Sequence, residues 1–304
     1  MKNPLRNRSI ISITDLSKEE ILLVLKRSEE MKKKGSKELL KSKILASCFY
    51  EPSTRTRLSF EAAMIRLGGS IIGFSDVEST SAKKGESLHD SMKVIGLYAD
   101  VIILRHPSEG AARLASESTD KPVINGGDGA NQHPTQTLLD LFTIKECQKK
   151  LKALNIAFVG DLKFGRTVHS LSLACAHFDM RLFFVSPHQL MLPDEIGHGL
   201  KKQGVKFSFH RTIEEVLGKA DILFMTRIQK ERFDPSEYEK CKEVYILTEE
   251  MLKKGKKNLK VLHPLPRVNE IETAIDKTPF AYYFQQAENG LYVRMALLSL
   301  ILDP

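Results

Sequence analysis

The sequence predicts an α/β protein built from two doubly wound parallel-sheet domains joined by interdomain helices. Three observations carry this. Short apolar runs alternate with stretches of helical length along almost the whole chain. A long helical stretch over 135–148 interrupts that alternation, and a second series of strands and helices comes after it. At 304 residues the chain is also long enough for two cores of ordinary size.

Each element has a local reason. Ser17-Lys18-Glu19-Glu20 is a capping box that opens an amphipathic helix through Met31. The apolar run 44–50 reads as a buried strand. Ser53-Thr54-Arg55-Thr56-Arg57 comes next, and the segment 58–67 reads as a helix stopped by Gly68-Gly69. A strand over 70–75 completes a strand–helix–strand unit, which calls for parallel strands. The segment 76–86 is polar and reads as an exposed loop. A helix over 87–98 leads to a strand over 101–104, closed by Arg105-His106-Pro107. A helix near 109–117 leads to a strand over 122–125. Gly126-Gly127-Asp128-Gly129 reads as a turn before Asn131-Gln132-His133-Pro134-Thr135-Gln136.

In the second half, strands are predicted over 155–160, 181–186, 205–209, 221–226 and 259–263. Helices fall near 166–178, 194–203, 212–219 and 248–256. The segment 281–302 is strongly apolar and helical apart from Asn289-Gly290, and a helix that long needs a partner surface. It is placed back on the first domain. The expected division is 1–134 plus 287–304 for one domain and 135–286 for the other.

Composition excludes several classes. Apolar residues make up 42% and charged residues 28%, as in ordinary soluble globular proteins. A formal charge of +8 from 46 basic and 38 acidic residues is a modest excess on a mixed surface. Lys32-Lys33-Lys34 and Lys253-Lys254-Gly255-Lys256-Lys257 sit at helix ends and read as solvated, with no nucleic-acid module beside them. Cys48, Cys147, Cys175 and Cys241 are scattered, without metal-ligand spacing, which fits a reducing cytoplasm. No signal peptide or membrane-spanning run is expected.

Ligands of open α/β sheets bind at the carboxyl ends of the strands. In the first half, the polar residues just past the predicted strands are Ser53, Thr54, Arg55 and Thr56, then Arg105, then His133 and Gln136. In the second half they are Lys163 and Arg166, then Arg227 and Gln229, then Pro264-Leu265-Pro266-Arg267 with its two prolines. The set holds several arginines but no carboxylate pair, metal cluster or nucleophile–base dyad. It suits substrates with several negative charges and needs no metal or cofactor. Ser53 to Arg57 crowd hydroxyls and a guanidinium onto the first turn of a helix, where free N–H groups and the dipole already favour a phosphate. Arg57 is turned away from that cradle by the helical rotation. Gly160-Asp161-Leu162-Lys163-Phe164-Gly165 does not match a dinucleotide or Walker loop. His133 read alone serves equally well as a structural histidine. Its place at a helix start favours a neutral ring that donates to a carbonyl. His106 is not placed, and His263 reads as a brace for a turn. The two prolines of His263-Pro264-Leu265-Pro266-Arg267 leave bare carbonyls able to accept from an NH₂ group, and one X–Pro bond there is expected to be cis.

Ser53-Thr54-Arg55-Thr56-Arg57, His133-Pro134-Thr135-Gln136 and His263-Pro264-Leu265-Pro266-Arg267 resemble the three signatures of the carbamoyltransferases. The second and third resemble the catalytic chain of the aspartate branch. The stretches 160–170 and 226–232 resemble its enterobacterial form. An ornithine-type site would need a cysteine in the second and third signatures, where this chain has Thr135 and Leu265. The resemblance implies transfer of the carbamoyl group of carbamoyl phosphate to the amine of L-aspartate, the committed step of de novo pyrimidine (UMP) biosynthesis. It assigns the phosphate to Ser53, Thr54, Arg55, Thr56 and Arg105. The carbonyl oxygen goes to Thr56, Arg105 and His133, and the NH₂ group to Gln136 and the carbonyls of Leu265 and Pro266. Arg166, Arg227 and Gln229 take the carboxylates of aspartate. It further implies a homotrimer in which a neighbour lends Ser81 and Lys84 from a slightly shortened loop, and separate zinc-containing regulatory chains. Domain closure would bring Glu51 to Arg166 and Arg232.

Overall fold

The computed structural model describes residues 3–35, 38–228 and 245–302. Gln229, Arg232 and Cys241 therefore lie outside the described residues. The chain divides into two compact units, Met1–Phe142 with Glu288–Pro304, and Thr143–Ala287. Both boundaries fall inside helices, Pro134–Gln148 and Tyr283–Leu302.

The first unit carries β1 (Ile44–Phe49), β2 (Ser70–Phe74), β3 (Val101–His106) and β4 (Val123–Asp128), all parallel, in the order β2-β1-β3-β4. The inner strands are apolar because both faces are covered. Leu45, Ile102, Ile103, Val123 and Ile124 are wholly buried, each worth about 1.5–3 kcal/mol of burial. Ala46, Cys48, Ile102 and Leu104 pack with Met92, Ala112 and Ala115 of the flanking helices. The burial pushes the Cys48 thiol up to about 12, so it behaves as an inert small hydrophobe. The chain leaves β1 for β2 on one side and returns to β3 on the other. The sheet therefore has its switch point between β1 and β3, where a ligand crevice forms at the carboxyl ends.

The second unit carries β5 (Asn155–Val159), β6 (Arg181–Val185), β7 (Lys206–His210), β8 (Ile222–Met225) and β9 (Lys260–Leu262), again parallel, in the order β7-β6-β5-β8-β9. Its switch point lies between β5 and β8. Across the sheet Phe158 stacks on Phe184 and meets Phe224 edge-on, each pair with ring centroids 5.6 Å apart.

Four local expectations are corrected. Gly126-Gly127-Asp128 is not a turn but the end of β4, and β3 runs on through Arg105 and His106. A bulge between Leu104 and His106 lets His106 pair with Asp128. A Cβ on Gly126 would lie 3.2 Å from the Leu104 carbonyl, so the glycine serves close strand approach. The helix Tyr283–Leu302 runs unbroken through Asn289-Gly290. The predicted helices near 212–219 and 248–256 shrink to single turns, Glu214–Leu217 and Glu249–Leu252. Lys32 is not simply solvated. It donates to Asn289 Oδ1 at 2.8 Å and lies 5.6 Å from the Tyr292 ring centre.

Candidate active site

The cradle opens the helix Arg55–Arg66, with Thr54 at its cap position. Thr54 is itself in helical conformation and its side chain makes no cap hydrogen bond. The first-turn N–H groups are thus not taken up by the cap residue, the usual arrangement for an anion site. Ser53 is half-buried, Thr54 and Arg55 are exposed, and Thr56 is buried. Arg57 turns the other way, its Nε 3.9 Å from Glu61 Oε1. Arg55 sits at the mouth. Partial loss of water lowers its guanidinium from the ordinary value, and the nearby Arg105 charge lowers it further. Two like charges held this close favour a dianion between them.

Arg105 ends β3 beside β1, in register with Phe49. Its Nη2 lies 2.6 Å from Glu51 Oε1, and its Nη1 donates to the Gly126 carbonyl at 3.3 Å. Burial lowers the guanidinium from its ordinary value, while the Glu51 charge and hydrogen bond pull it partly back. Its buried Nε has no hydrogen-bond partner, leaving a strong donor in a site of low dielectric.

His133 immediately precedes the helix Pro134–Gln148 and is buried. Its Nε2 is 3.4 Å from Thr56 Oγ1 and its Nδ1 is 3.5 Å from Thr135 Oγ1. The loop leading to it is locked by the buried Asp128. Asp128 Oδ1 accepts from Asn125 Nδ2 at 2.8 Å and from the Gln132 N–H at 3.2 Å. Its Oδ2 accepts from the Gly110 N–H at 3.0 Å. Gln136, in the first turn of that helix, donates Nε2 to Asp140 Oδ1 at 2.9 Å. Ser81 and Lys84 lie exposed on the turn Ser81–Lys84, distant in sequence from the cradle. His106 stays off the site's donor set. Its Nδ1 accepts from the Ser108 N–H at 3.0 Å, and its ring meets Tyr50 at 5.0 Å.

In the second unit, the loop after β5 carries Lys163, which is exposed, and Arg166, which is half-buried and opens the helix Arg166–Cys175. Two buried side chains shape this loop. Asp161 Oδ1 accepts the Phe164 N–H at 2.9 Å, and His169 Nε2 donates to the Leu162 carbonyl at 2.8 Å. Arg227 comes after β8, across the switch point from Arg166. It lines a pocket with Gly160, Thr226, Tyr245, Asn269 and Glu270. Gly160 is required there, with φ +111° and an added Cβ only 2.5 Å from the Thr226 carbonyl.

His263 braces its turn as expected. Its Nδ1 accepts the Leu265 N–H at 2.7 Å and its Nε2 lies 2.7 Å from Glu270 Oε1, both groups buried. Burial tends to raise the Glu270 carboxyl, but the His263 contact outweighs it and holds the group low. Leu265-Pro266 is the cis bond. Arg267 is occupied by a two-pronged pair with Asp276 and stacks on Tyr283, 5.1 Å from its centre.

The structure thus brings Thr56 to His133 and sets Arg55 near Arg105 in the first unit, and places Arg166 and Arg227 after the adjacent strands β5 and β8 in the second. Glu51 pairs with Arg105 within the first unit; of its expected partners on domain closure, Arg232 lies outside the described residues and Arg166 belongs to the other unit. Asp128, Asp140, Asp161 and His169 escaped the sequence reading because a buried polar brace has no spacing of its own. Only the position of Asp128 beside Gly127 and Gly129 hinted at its role. Among the described residues, no group of three or more His, Cys, Asp or Glu side chains could hold a metal ion, and no helix is long and apolar enough to cross a membrane.

Two family models match the chain. Residues 8–146 match the carbamoyl-P binding domain of aspartate/ornithine carbamoyltransferase, and residues 152–301 match its Asp/Orn binding domain. Aspartate carbamoyltransferase catalytic subunit 2 of Shewanella halifaxensis (strain HAW-EB4) is 59% identical, covering 99% of this chain and 98% of its own. The catalytic subunit of M. jannaschii aspartate transcarbamoylase superimposes with a TM-score of 0.90 at 52% identity, covering 96% of this chain and 97% of its own. The Trypanosoma cruzi aspartate transcarbamoylase in complex with carbamoyl phosphate and aspartate gives a TM-score of 0.92 at 36% identity, covering 99% and 98%.

Proposed function

The chain belongs to the aspartate/ornithine carbamoyltransferase family, and we infer from that premise that it transfers the carbamoyl group of carbamoyl phosphate to the amine of L-aspartate. The products are N-carbamoyl-L-aspartate and phosphate. The observation that carries the chemistry is the meeting of Thr56 Oγ1 and His133 Nε2 at 3.4 Å beside the cradle. It brings donors from two strand ends to one small volume, as an oxyanion requires.

In this reading the first unit binds carbamoyl phosphate. Ser53, Thr54, Arg55, Thr56 and Arg105 hold the phosphate. Thr56, Arg105 and His133 polarise the carbonyl oxygen and stabilise the tetrahedral oxyanion as the amine attacks. One donor of this kind is commonly worth ~3–4 kcal/mol. Gln136, with the carbonyls of Leu265 and Pro266, orients the NH₂ group. The departing phosphate takes the amine proton itself, so no carboxylate base is needed. Arg166, Arg227 and Gln229 bind the two carboxylates of aspartate in the second unit. The rest of the rate comes from holding the amine near the carbonyl.

The same reading makes the active assembly a homotrimer in which Ser81 and Lys84 serve a neighbour's site. Their exposure on a surface turn supports it. Regulatory chains carrying zinc would be separate polypeptides, and relatives named as catalytic subunits suit such an assembly. The place of action is the cytoplasm and the pathway role is the committed step of pyrimidine synthesis. Free Cys48, Cys147 and Cys175 accord with a reducing compartment.

The test is a colorimetric assay of carbamoylaspartate with aspartate or ornithine as acceptor. Product from aspartate alone is expected. Product from ornithine, or none from either, overturns the reading.

A further inference from the structure

Arg294 belongs to none of the binding roles above, yet it touches both helices that carry the carbamoyl phosphate residues. It sits on the helix Tyr283–Leu302 with only 3% of its surface exposed. Its guanidinium lies 5.1 Å from the ring centre of Phe60, one turn after Thr56 on the cradle helix. A Cβ on Gly290 would stand 2.3 Å from Arg294 Nη1 and 3.2 Å from Leu139 Cδ2. The guanidinium therefore occupies the space that Gly290 leaves, against the helix Pro134–Gln148.

Next to Leu139 is Asp140, wholly buried, with Oδ1 accepting from Gln136 Nε2 at 2.9 Å. A carboxylate buried this deeply needs an opposite charge. Burial pulls Arg294 down to about 10 against the pull of Asp140, so it remains charged at neutral pH.

We propose that Asp140, with Arg294 as its counter-charge, is a positioning residue that fixes which end of the Gln136 amide is presented to substrate. A carboxylate only accepts hydrogen bonds, so it must take the amide NH₂. The Gln136 Oε1 is then the end left to accept. A carbamoyl NH₂ group needs such an acceptor and a phosphate oxygen does not. The terminal helix thereby acts at one remove on how the cradle tells carbamoyl phosphate from phosphate. This rests on the reading of Gln136 as a ligand of the carbamoyl group.

Asp140→Asn keeps the shape but lets the Gln136 amide turn either way. Titration calorimetry should show carbamoyl phosphate affinity falling about tenfold or more, the scale of one misdirected buried hydrogen bond. Inorganic phosphate, which touches only the cradle, should bind within about twofold of wild type, since no cradle bond is lost. In a double-mutant cycle on kcat/KM, Asp140→Asn should add little once Gln136→Ala is present. Equal losses for both ligands, or additive losses in the cycle, overturn the proposal. If Asp140→Asn does not fold, Arg294→Gln carries the same two comparisons, because it removes the counter-charge of Asp140 while keeping a polar side chain. A wild-type chain that forms no carbamoylaspartate would count against the functional reading. An active wild type with additive losses counts only against the positioning role.

Discussion

Glu51 Oε1 lies 2.6 Å from Arg105 Nη2, at the carboxyl ends of the adjacent strands β1 and β3. The carboxylate orients the arginine and also competes with any anion that arrives. Glu51→Gln should therefore strengthen inorganic phosphate binding by about fivefold, the scale of a half-exposed ion pair. Turnover should fall as Arg105 loses its orientation. Unchanged or weaker phosphate binding by calorimetry would show that Glu51 does not compete for Arg105.

Arg55 is exposed at the mouth of the cradle. Its loss should hardly disturb folding but should remove a phosphate ligand. Arg55→Ala is expected to lower kcat by about two to three orders of magnitude, as for one lost transition-state donor. Its stability should stay within about 0.5 kcal/mol of wild type. Steady-state rates read beside a thermal melt decide this, and near-normal turnover removes the phosphate role.

Lys84 and Arg55 test the shared site. Lys84→Ala and Arg55→Ala chains, each inactive alone, should regain part of the activity when mixed and reassembled. In a trimer some sites would then hold both native residues. No recovery in chromatographically verified mixed trimers argues against a site built from two subunits.

His169 sets a pH limit on the second unit. Burial holds its ring below the ordinary value of 6.5, against the upward pull of its bond to the Leu162 carbonyl. As pH falls, the unfolded chain takes up this proton before the folded one does. The contribution to stability is complete above about pH 6.5 and drains away as pH falls towards the depressed folded value. Calorimetric Tm should decline between pH 7 and pH 5, and His169→Gln should flatten that part of the slope. Parallel curves for the two chains would reject the assignment.

Much of this molecule is local. The capping box at Ser17 and Glu20 forms both of its reciprocal bonds. All nine described strands coincide with the apolar runs that predicted them, to within a few residues. The helix start that carries Thr54, Arg55 and Thr56 comes directly after its strand, as predicted. The errors also have local causes. Paired glycines at 126–127 look like a turn, yet they belong to β4, where the Leu104 carbonyl crowds Gly126. Asn289-Gly290 looks like a break, yet it is a notch for a guanidinium.

The sequence by itself determined element type, the helix start at Thr54 to Thr56 and the arginine-rich inventory at the strand ends. Periodicity, capping and turn chemistry act over a few residues and can be read there. Only the tertiary structure decided the strand orders β2-β1-β3-β4 and β7-β6-β5-β8-β9. Those orders put the cradle beside Arg105, and Arg166 across from Arg227. It also chose the partners of charges at the site and in the core: Glu51 with Arg105, His263 with Glu270, and Asp140 with Gln136. Which charge meets which depends on where the chain returns in space, and once water is gone each buried charge must take the partner that packing supplies.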